Sequence, residues 1–98
     1  MIKNNVTKLF MSNLPKLNHL DLSQNKLDQI DLINLPSLVY CNVSRNKIGK
    51  MNLDNFGKLL HLNVSFNLLE KLDVSSCGAL VVLNVFGNLL EEVGLEGN

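Results

Sequence analysis

A histidine, an aspartate and a serine lie within the five-residue stretch HLDLS at 19–23. These are the residue types of a nucleophilic triad, whose members must lie within ~3.2 Å of one another. Apolar and polar residues alternate through the stretch, which is typical of a β-strand, where residues i and i+2 are about 7 Å apart. We therefore expect that His19, Asp21 and Ser23 form no triad and that the chain is not an enzyme.

The element that positions these residues is a repeat. An asparagine recurs every 21 residues, and the segments that contain it are LNHLDLSQNKL (17–27), LVYCNVSRNKI (38–48), LLHLNVSFNLL (59–69) and LVVLNVFGNLL (80–90). A second phrase of the same alternating type follows each asparagine, as in LDQIDL (27–32), IGKMNL (48–53) and LEKLDV (69–74). Each period therefore predicts two short strands joined by turns, because the alternation has the period of a strand and not of a helix.

The pattern LxxLxLxxNxL resembles the leucine-rich repeat family, and a 21-residue period with two LxxLxL phrases resembles its short class. The resemblance covers positions 4 to about 95 and implies a mainly β fold with little or no α-helix. It implies a right-handed solenoid of about 4.5 turns, with a parallel sheet on its concave side and extended segments or short strands on its convex side. We expect one domain over 1–98, as a segment of a longer array, with a half repeat at 1–16 and full repeats at 17–37, 38–58, 59–79 and 80–98.

The asparagines have a structural interpretation. A buried corner leaves backbone N–H and C=O groups without partners, and a side-chain amide offers both donors and an acceptor. The family resemblance likewise implies buried asparagines that bond the loop backbone of neighbouring turns. We therefore predict a structural ladder of Asn4, Asn25, Asn46, Asn67 and Asn88.

The candidate binding residues share an outward slot on the concave strand or at the corner after it. They are His19, Tyr40, His61 and Val82; Asp21, Asn42, Asn63 and Asn84; Ser23, Ser44, Ser65 and Phe86; and Arg45 and Phe66. Aromatic and arginine side chains are typical anchors of protein interfaces. The resemblance implies that the concave face is the recognition surface, so we expect a protein or peptide partner.

Other classes of ligand have weak support in the sequence. His19 and His61 are two repeats apart, about 10 Å, so we expect no shared metal. There is no glycine-rich phosphate loop and no CxxC pair, and we expect no cofactor. The net charge is zero and no apolar run approaches ~20 residues, so neither nucleic acid nor a membrane is expected as a partner.

The two cysteines predict no disulfide, because the repeat places Cys41 and Cys77 in different slots, beyond the ~7 Å Cα limit for bridging. We expect both to be small buried hydrophobes. The absence of a disulfide framework and of an apolar leader favours the cytoplasm.

A different function is also compatible with the sequence. Neither end of the chain has an evident cap, and apolar residues fill outward slots late in the chain: Leu60, Leu68, Val81, Val82, Phe86 and Leu89. A solenoid with open ends exposes core residues and strand edges. The alternative is therefore a structural segment that self-associates through its ends and apolar edges.

Overall fold

The chain forms a stack of parallel β-strands. A computed structural model describes residues 7–90 and 92–94, with the side chains of residues 7–90. Within this part of the chain the strands are β1 (Lys8–Ser12), β2 (His19–Asp21), β3 (Gln29–Ile33), β4 (Tyr40–Asn42), β5 (His61–Asn63), β6 (Lys71–Asp73), β7 (Val82–Asn84) and β8 (Glu92–Gly94). The described residues contain no helix, and hence none that could cross a membrane.

Each strand pairs with its equivalent one period later. His19 pairs with Tyr40, Tyr40 with His61 and His61 with Val82, which makes a four-stranded parallel sheet in the order β2-β4-β5-β7. We call it the front sheet. On the opposite side, β1 pairs with β3 and β6 with β8, also in parallel. The prediction of a mainly β solenoid without helices is thus confirmed, with about four turns stacked into a disc of 34 × 33 × 17 Å.

The core lies between the two sides of the stack and consists of columns of equivalent residues. Buried columns include Leu20, Cys41 and Leu62; Leu22, Val43 and Val64; and Leu27, Ile48 and Leu69. A fourth column at the corner contains Leu35, Phe56 and Cys77, but the equivalent Leu14 is 40% exposed. Within the described residues a neighbouring turn covers Leu14 on only one side, so the buried column at this corner begins one turn later, at Leu35.

The rear strands are interrupted in the third turn. Residues 48–53 form no strand, although their sequence has the same phrase as β3 and β6. Gly49 occupies the slot that holds Asp28 and Glu70 in the adjacent turns, and glycine disfavours a strand. The interruption leaves a cleft of about 230 Å³ beside β3.

The asparagine ladder joins successive turns through their backbones. The Nδ2 of Asn46 donates to the carbonyls of Leu22 and Val43 at 3.0 and 2.9 Å, and its Oδ1 accepts from the N–H of Leu27 at 3.0 Å. Asn67 repeats this arrangement one turn later. Asn25, Asn46 and Asn67 are buried, and Asn88 makes equivalent bonds while half-buried. The predicted ladder is confirmed for Asn46, Asn67 and Asn88. Asn25 is buried and donates to the carbonyls of Leu22 and Ser23 in its own turn, at 3.0 and 3.3 Å, and Asn4 lies outside the described residues.

Both cysteines are free and buried. Burial, together with the negative charge of Asp21, raises the pKa of the Cys41 thiol to about 12. Burial also raises the pKa of Cys77, with a further contribution from Asp73. Their role in the fold is therefore that of small apolar side chains, as expected.

Candidate functional site

Three rings stack on the outer surface of the front sheet. The ring centroids of His19 and Tyr40 are 4.1 Å apart with planes 4° from parallel, and those of Tyr40 and His61 are 4.7 Å apart at 25°. In-register parallel strands place side chains of the same slot about 4.8 Å apart, which is close to the stacking distance of rings. We call this set of three side chains the aromatic ridge. It ends at Val82 on β7, which is exposed.

Beside the ridge runs a column of short polar side chains: Asp21, Asn42, Asn63 and Asn84. The Oδ1 of each accepts the backbone N–H two residues later, at 3.0 to 3.1 Å. These bonds end the strands, because they replace the next ladder bond with a local turn. Within residues 7–90 the Nδ2 groups of Asn42, Asn63 and Asn84 donate to no protein acceptor, so this column offers amide donors to a partner.

Asp21 is the only carboxylate of this column. Partial burial raises its pKa, but hydrogen bonds from the N–H and hydroxyl of Ser23 and the nearby charge of His19 lower it, and the net pKa is below its usual 3.8. The Asp21 carboxyl therefore binds a proton more readily in the unfolded chain than in the folded chain. The Asp21 carboxylate stabilises the fold fully at pH values above its pKa in the unfolded chain, and this stabilisation is lost as the pH falls through its lower pKa in the folded chain.

The variant Asp21→Asn tests this linkage. Asparagine keeps the acceptor for the Ser23 N–H, as Asn42 and Asn63 do for their serines, but does not titrate. We expect the wild type to lose up to about 1 kcal/mol more unfolding free energy than the variant between about pH 5 and pH 2, since the group is partly exposed. Urea unfolding at a series of pH values measures this difference, and parallel profiles would contradict it.

The predicted outward position of the serine column is wrong. Ser23, Ser44 and Ser65 are only 7%, 7% and 4% exposed. The hydroxyls of Ser23 and Ser65 donate to Asp21 and Asn63 at 2.7 and 2.6 Å. Strict alternation ends one residue earlier than expected, because the chain already turns at these serines. They are unable to contact a partner, whereas Phe86 in the same slot is 71% exposed.

This geometry also bears on the trio of His19, Asp21 and Ser23. The Ser23 hydroxyl donates to Asp21 at 2.7 Å, so the expectation that strand spacing keeps these side chains out of hydrogen-bond reach is wrong for this pair, because the chain already turns at Ser23. The described residues contain no hydrogen bond between His19 and either of the other two. The side chains are thus not connected in the order that a triad requires. Among the described residues there is likewise no group of three histidine, cysteine or acidic side chains that could hold a metal ion.

The corner that follows the front sheet has a left-handed backbone in every described turn. Gln24, Arg45, Phe66 and Gly87 have φ values of 59°, 57°, 55° and 74°. For a residue with a Cβ this conformation costs roughly 1–2 kcal/mol, and only glycine adopts it freely. The repeat pattern predicts the position of Arg45 and Phe66 at this corner but not their left-handed conformation, for which Gly87 in the same column is the only signal in the sequence.

Arg45 and Phe66 contact each other across this corner. The guanidinium carbon of Arg45 lies 4.3 Å from the centroid of the Phe66 ring, and Phe66 meets Phe86 edge-on at 5.6 Å. On its other side the Phe66 ring covers Gly87, where an added Cβ would lie 2.6 Å from Cδ1 of Phe66. Gly87 is therefore required both by its own φ and by the position of this ring.

Exposed leucines extend the surface around Phe66. Two residues after Arg45 and Phe66 come Lys47 and Leu68, and the same column contains Lys26 and Leu89. Leu68 and Leu89 are 50% and 58% exposed. These leucines were recognised in the sequence as apolar outward residues but not as part of the candidate site. Leu68 and Leu89 are exposed in the outward slot two residues after Phe66 and Gly87, so they border the candidate site.

The other rim of the front sheet is also apolar. Val39, Leu60 and Val81 precede β4, β5 and β7, and their exposure increases along the stack, reaching 78% at Val81. The structure thus brings the aromatic ridge, the amide column and the Arg45–Phe66–Phe86 contact onto one face. Of the predicted residues only the three serines are withdrawn from it.

Comparison with known proteins yields no relative: no family model matches the chain, and neither the curated proteins nor the solved structures contain a significant match. The strand register establishes a solenoid with a 21-residue period, whereas the resemblance to the leucine-rich repeat family rests on the repeat pattern alone.

Proposed function

We propose that this chain is a non-catalytic protein-interaction module of the short leucine-rich repeat class, which recognises a protein or peptide on the front sheet. The observation that carries the proposal is the aromatic ridge, a stack of three partly exposed rings in register over three turns. The repeat class is supported by the constant 21-residue period with two apolar phrases in each turn.

The physical support for this proposal is preorganisation. Rings that already stack on one another lose little side-chain freedom when a partner covers them, so less of the binding free energy is spent on ordering. The adjacent amide donors of Asn42, Asn63 and Asn84 can pair with carbonyl groups of the partner, which would otherwise be desolvated without compensation. An apolar platform with a polar row beside it is the usual composition of a protein interface.

The experiment begins with selection from a displayed library of random 12-residue peptides on the immobilised 98-residue chain. The affinities of the selected peptides are then compared between the wild type and the double variant Tyr40→Ala, His61→Ala. We expect the affinity to fall by about 10- to 100-fold, as for the loss of central aromatic anchors. Circular dichroism verifies that the variant remains folded.

The matched control changes the opposite side of the same turns. Lys50 and Lys71 are exposed on the rear of the third and fourth turns, and the double variant Lys50→Ala, Lys71→Ala should bind the peptides as the wild type does. Equal affinity of the wild type and the Tyr40→Ala, His61→Ala variant would overturn the proposal for the front sheet.

A second candidate function has its own support, because the two most exposed large apolar side chains among the described residues lie within 80–90. Val81 and Phe86 are 78% and 71% exposed. A structural role, in which copies of the chain associate through this region, would cover them. Light scattering after size exclusion over a hundredfold concentration range tests it: a mass that increases with concentration, and that Val81→Lys returns to the monomer, supports assembly, whereas a constant monomer excludes it.

A further inference from the structure

The corner after the front sheet holds large side chains where its backbone favours glycine. All four described turns are left-handed at this position, yet glycine occurs only at Gly87. Arg45 and Phe66 occupy the two middle turns and contact each other. Strained residues persist where the surrounding structure holds them in place, and they cluster at active sites and ligand-binding sites. Arg45 and Phe66 are therefore candidates for contact with a binding partner.

The charged residues at this corner are all cationic. We define the corner strip as six side chains from two adjacent columns: Lys26, Arg45, Lys47, Phe66, Leu68 and Leu89. Gln24 and Gly87 belong to the first of these columns but not to the strip. The corner strip contains three cations and no carboxylate, although the whole chain has a net charge of zero. Within the described residues Arg45 forms no ion pair, so its positive charge is not neutralised there.

The two ends of the corner strip differ in character. The cations lie in the second and third turns, whereas Phe66, Leu68 and Leu89 lie in the next two turns, with Phe86 against Phe66. Equivalent positions in successive turns are about 4.8 Å apart, so the step from Lys26 to Leu68, or from Lys47 to Leu89, is about 10 Å. An extended peptide covers that distance in about three residues.

We infer that the corner strip recognises an acidic and apolar segment of the partner, in which an Asp or Glu lies about three positions from a large apolar residue. The carboxylate pairs with Lys26 or Lys47 beside Arg45, and the apolar side chain packs two turns further on, on Leu68 or Leu89 beside Phe66. This inference rests on the proposed function, since it describes which peptides that same face selects. It adds the chemistry and the spacing of the recognised segment.

The peptide selection on the wild-type chain tests this composition directly. We expect Asp or Glu to be enriched at least fivefold at three positions from Leu, Ile, Met or Phe. In a synthetic copy of the strongest binder, Glu→Gln or Asp→Asn should weaken binding by about 2- to 5-fold, in the range of a partly exposed ion pair. Higher salt should weaken the unaltered peptide, because exposed charge pairs are screened.

The structure offers an unusual set of matched variants for the protein. Phe66→Gly, Arg45→Gly and Gln24→Gly all place glycine at the same left-handed position, so each relaxes the backbone in the same way. We expect all three to remain folded, with melting temperatures within about 5 °C of the wild type. Phe66→Gly should lose about 10- to 30-fold in affinity and Arg45→Gly about 5-fold, whereas Gln24→Gly, outside the corner strip, should lose less than about twofold.

The outcomes separate this inference from the proposed function. Peptides that need Tyr40 and His61 but bind equally well to Phe66→Gly and Arg45→Gly would overturn the inference and leave the proposed function in place. Enrichment of basic or uncharged peptides would also overturn it. Self-association of the wild type that Phe66→Gly and Arg45→Gly abolish would assign the strip to a second copy instead, and a selection without any enriched peptide would count against both proposals.

Discussion

Replacing Asn67 with alanine is expected to lower the free energy of unfolding by about 3–5 kcal/mol. Its Oδ1 is the partner of the Ile48 N–H at 3.1 Å, and its Nδ2 donates to the carbonyls of Val43, Val64 and Ser65 at 3.0, 3.0 and 3.2 Å. The carbonyls keep second donors, from Asn46, Asn88 and the N–H of Arg45. The Ile48 N–H keeps none among the described residues, and a buried orphan of this kind costs about 1–3 kcal/mol by itself.

Such a loss is a large fraction of the total stability of a domain of this size, which is about 5–15 kcal/mol. Urea unfolding followed by far-ultraviolet circular dichroism measures it. Asn55→Ala is the matched control, because Asn55 is exposed and makes no hydrogen bond within the described residues. We expect the control to change stability by less than about 0.5 kcal/mol.

The variant Asn67→Asp separates the two functions of the side chain. Aspartate keeps an acceptor for the Ile48 N–H but loses both amide donors, and its charge would face three carbonyl oxygens. We expect it to be at least as unstable as Asn67→Ala at neutral pH. An Asn67→Ala chain that unfolds at the wild-type urea concentration would show that the ladder contributes nothing to stability.

The second large effect is expected from Leu62→Ala. Leu62 is fully buried at the centre of the front sheet, between Cys41 and Leu83 in the same column. Truncation of such a leucine costs about 2–5 kcal/mol, because it removes buried apolar surface and leaves a cavity that the neighbouring turns fill incompletely. The same urea unfolding measurement determines the loss.

Leu83→Ala makes the same chemical change one turn later. Leu83 is only half-buried, so less apolar surface is lost, and we expect less than half of the cost of Leu62→Ala. Equal costs in a dilute sample would contradict the difference in packing between the two turns. A cost for Leu83→Ala that increases with protein concentration would support the self-association described above.

Much of the fold followed from periodicity. The 21-residue spacing of the asparagines predicted the register, since His19, Tyr40, His61 and Val82 pair as equivalent residues. Alternation predicted the inward columns and the ring column, because a strand presents successive residues to opposite faces. Stacking of the three rings then follows from the strand spacing, which is a constant of β-sheets.

The errors in the sequence analysis lie where a side chain competes with the strand for backbone groups. Ser23, Ser44 and Ser65 were placed outward by extending the alternation, but the Oδ1 atoms of Asp21, Asn42 and Asn63 take their N–H groups and start the turn. The interruption at 48–53 was also missed. A single glycine within an otherwise repeated phrase is a weak signal that a strand is interrupted. Whether the strand forms depends on whether packing against the neighbouring turns offsets the low strand propensity of glycine.

What the sequence by itself determined is the architecture, because a period of 21 residues with two alternating phrases and one asparagine buries its apolar columns and satisfies its corners when successive turns stack in register. What only the tertiary structure decided is which outward residues act together. Arg45 and Phe66 contact each other because equivalent residues of successive turns stack in register, and their left-handed backbone angle is set by the stacked turns rather than by the residue that adopts it.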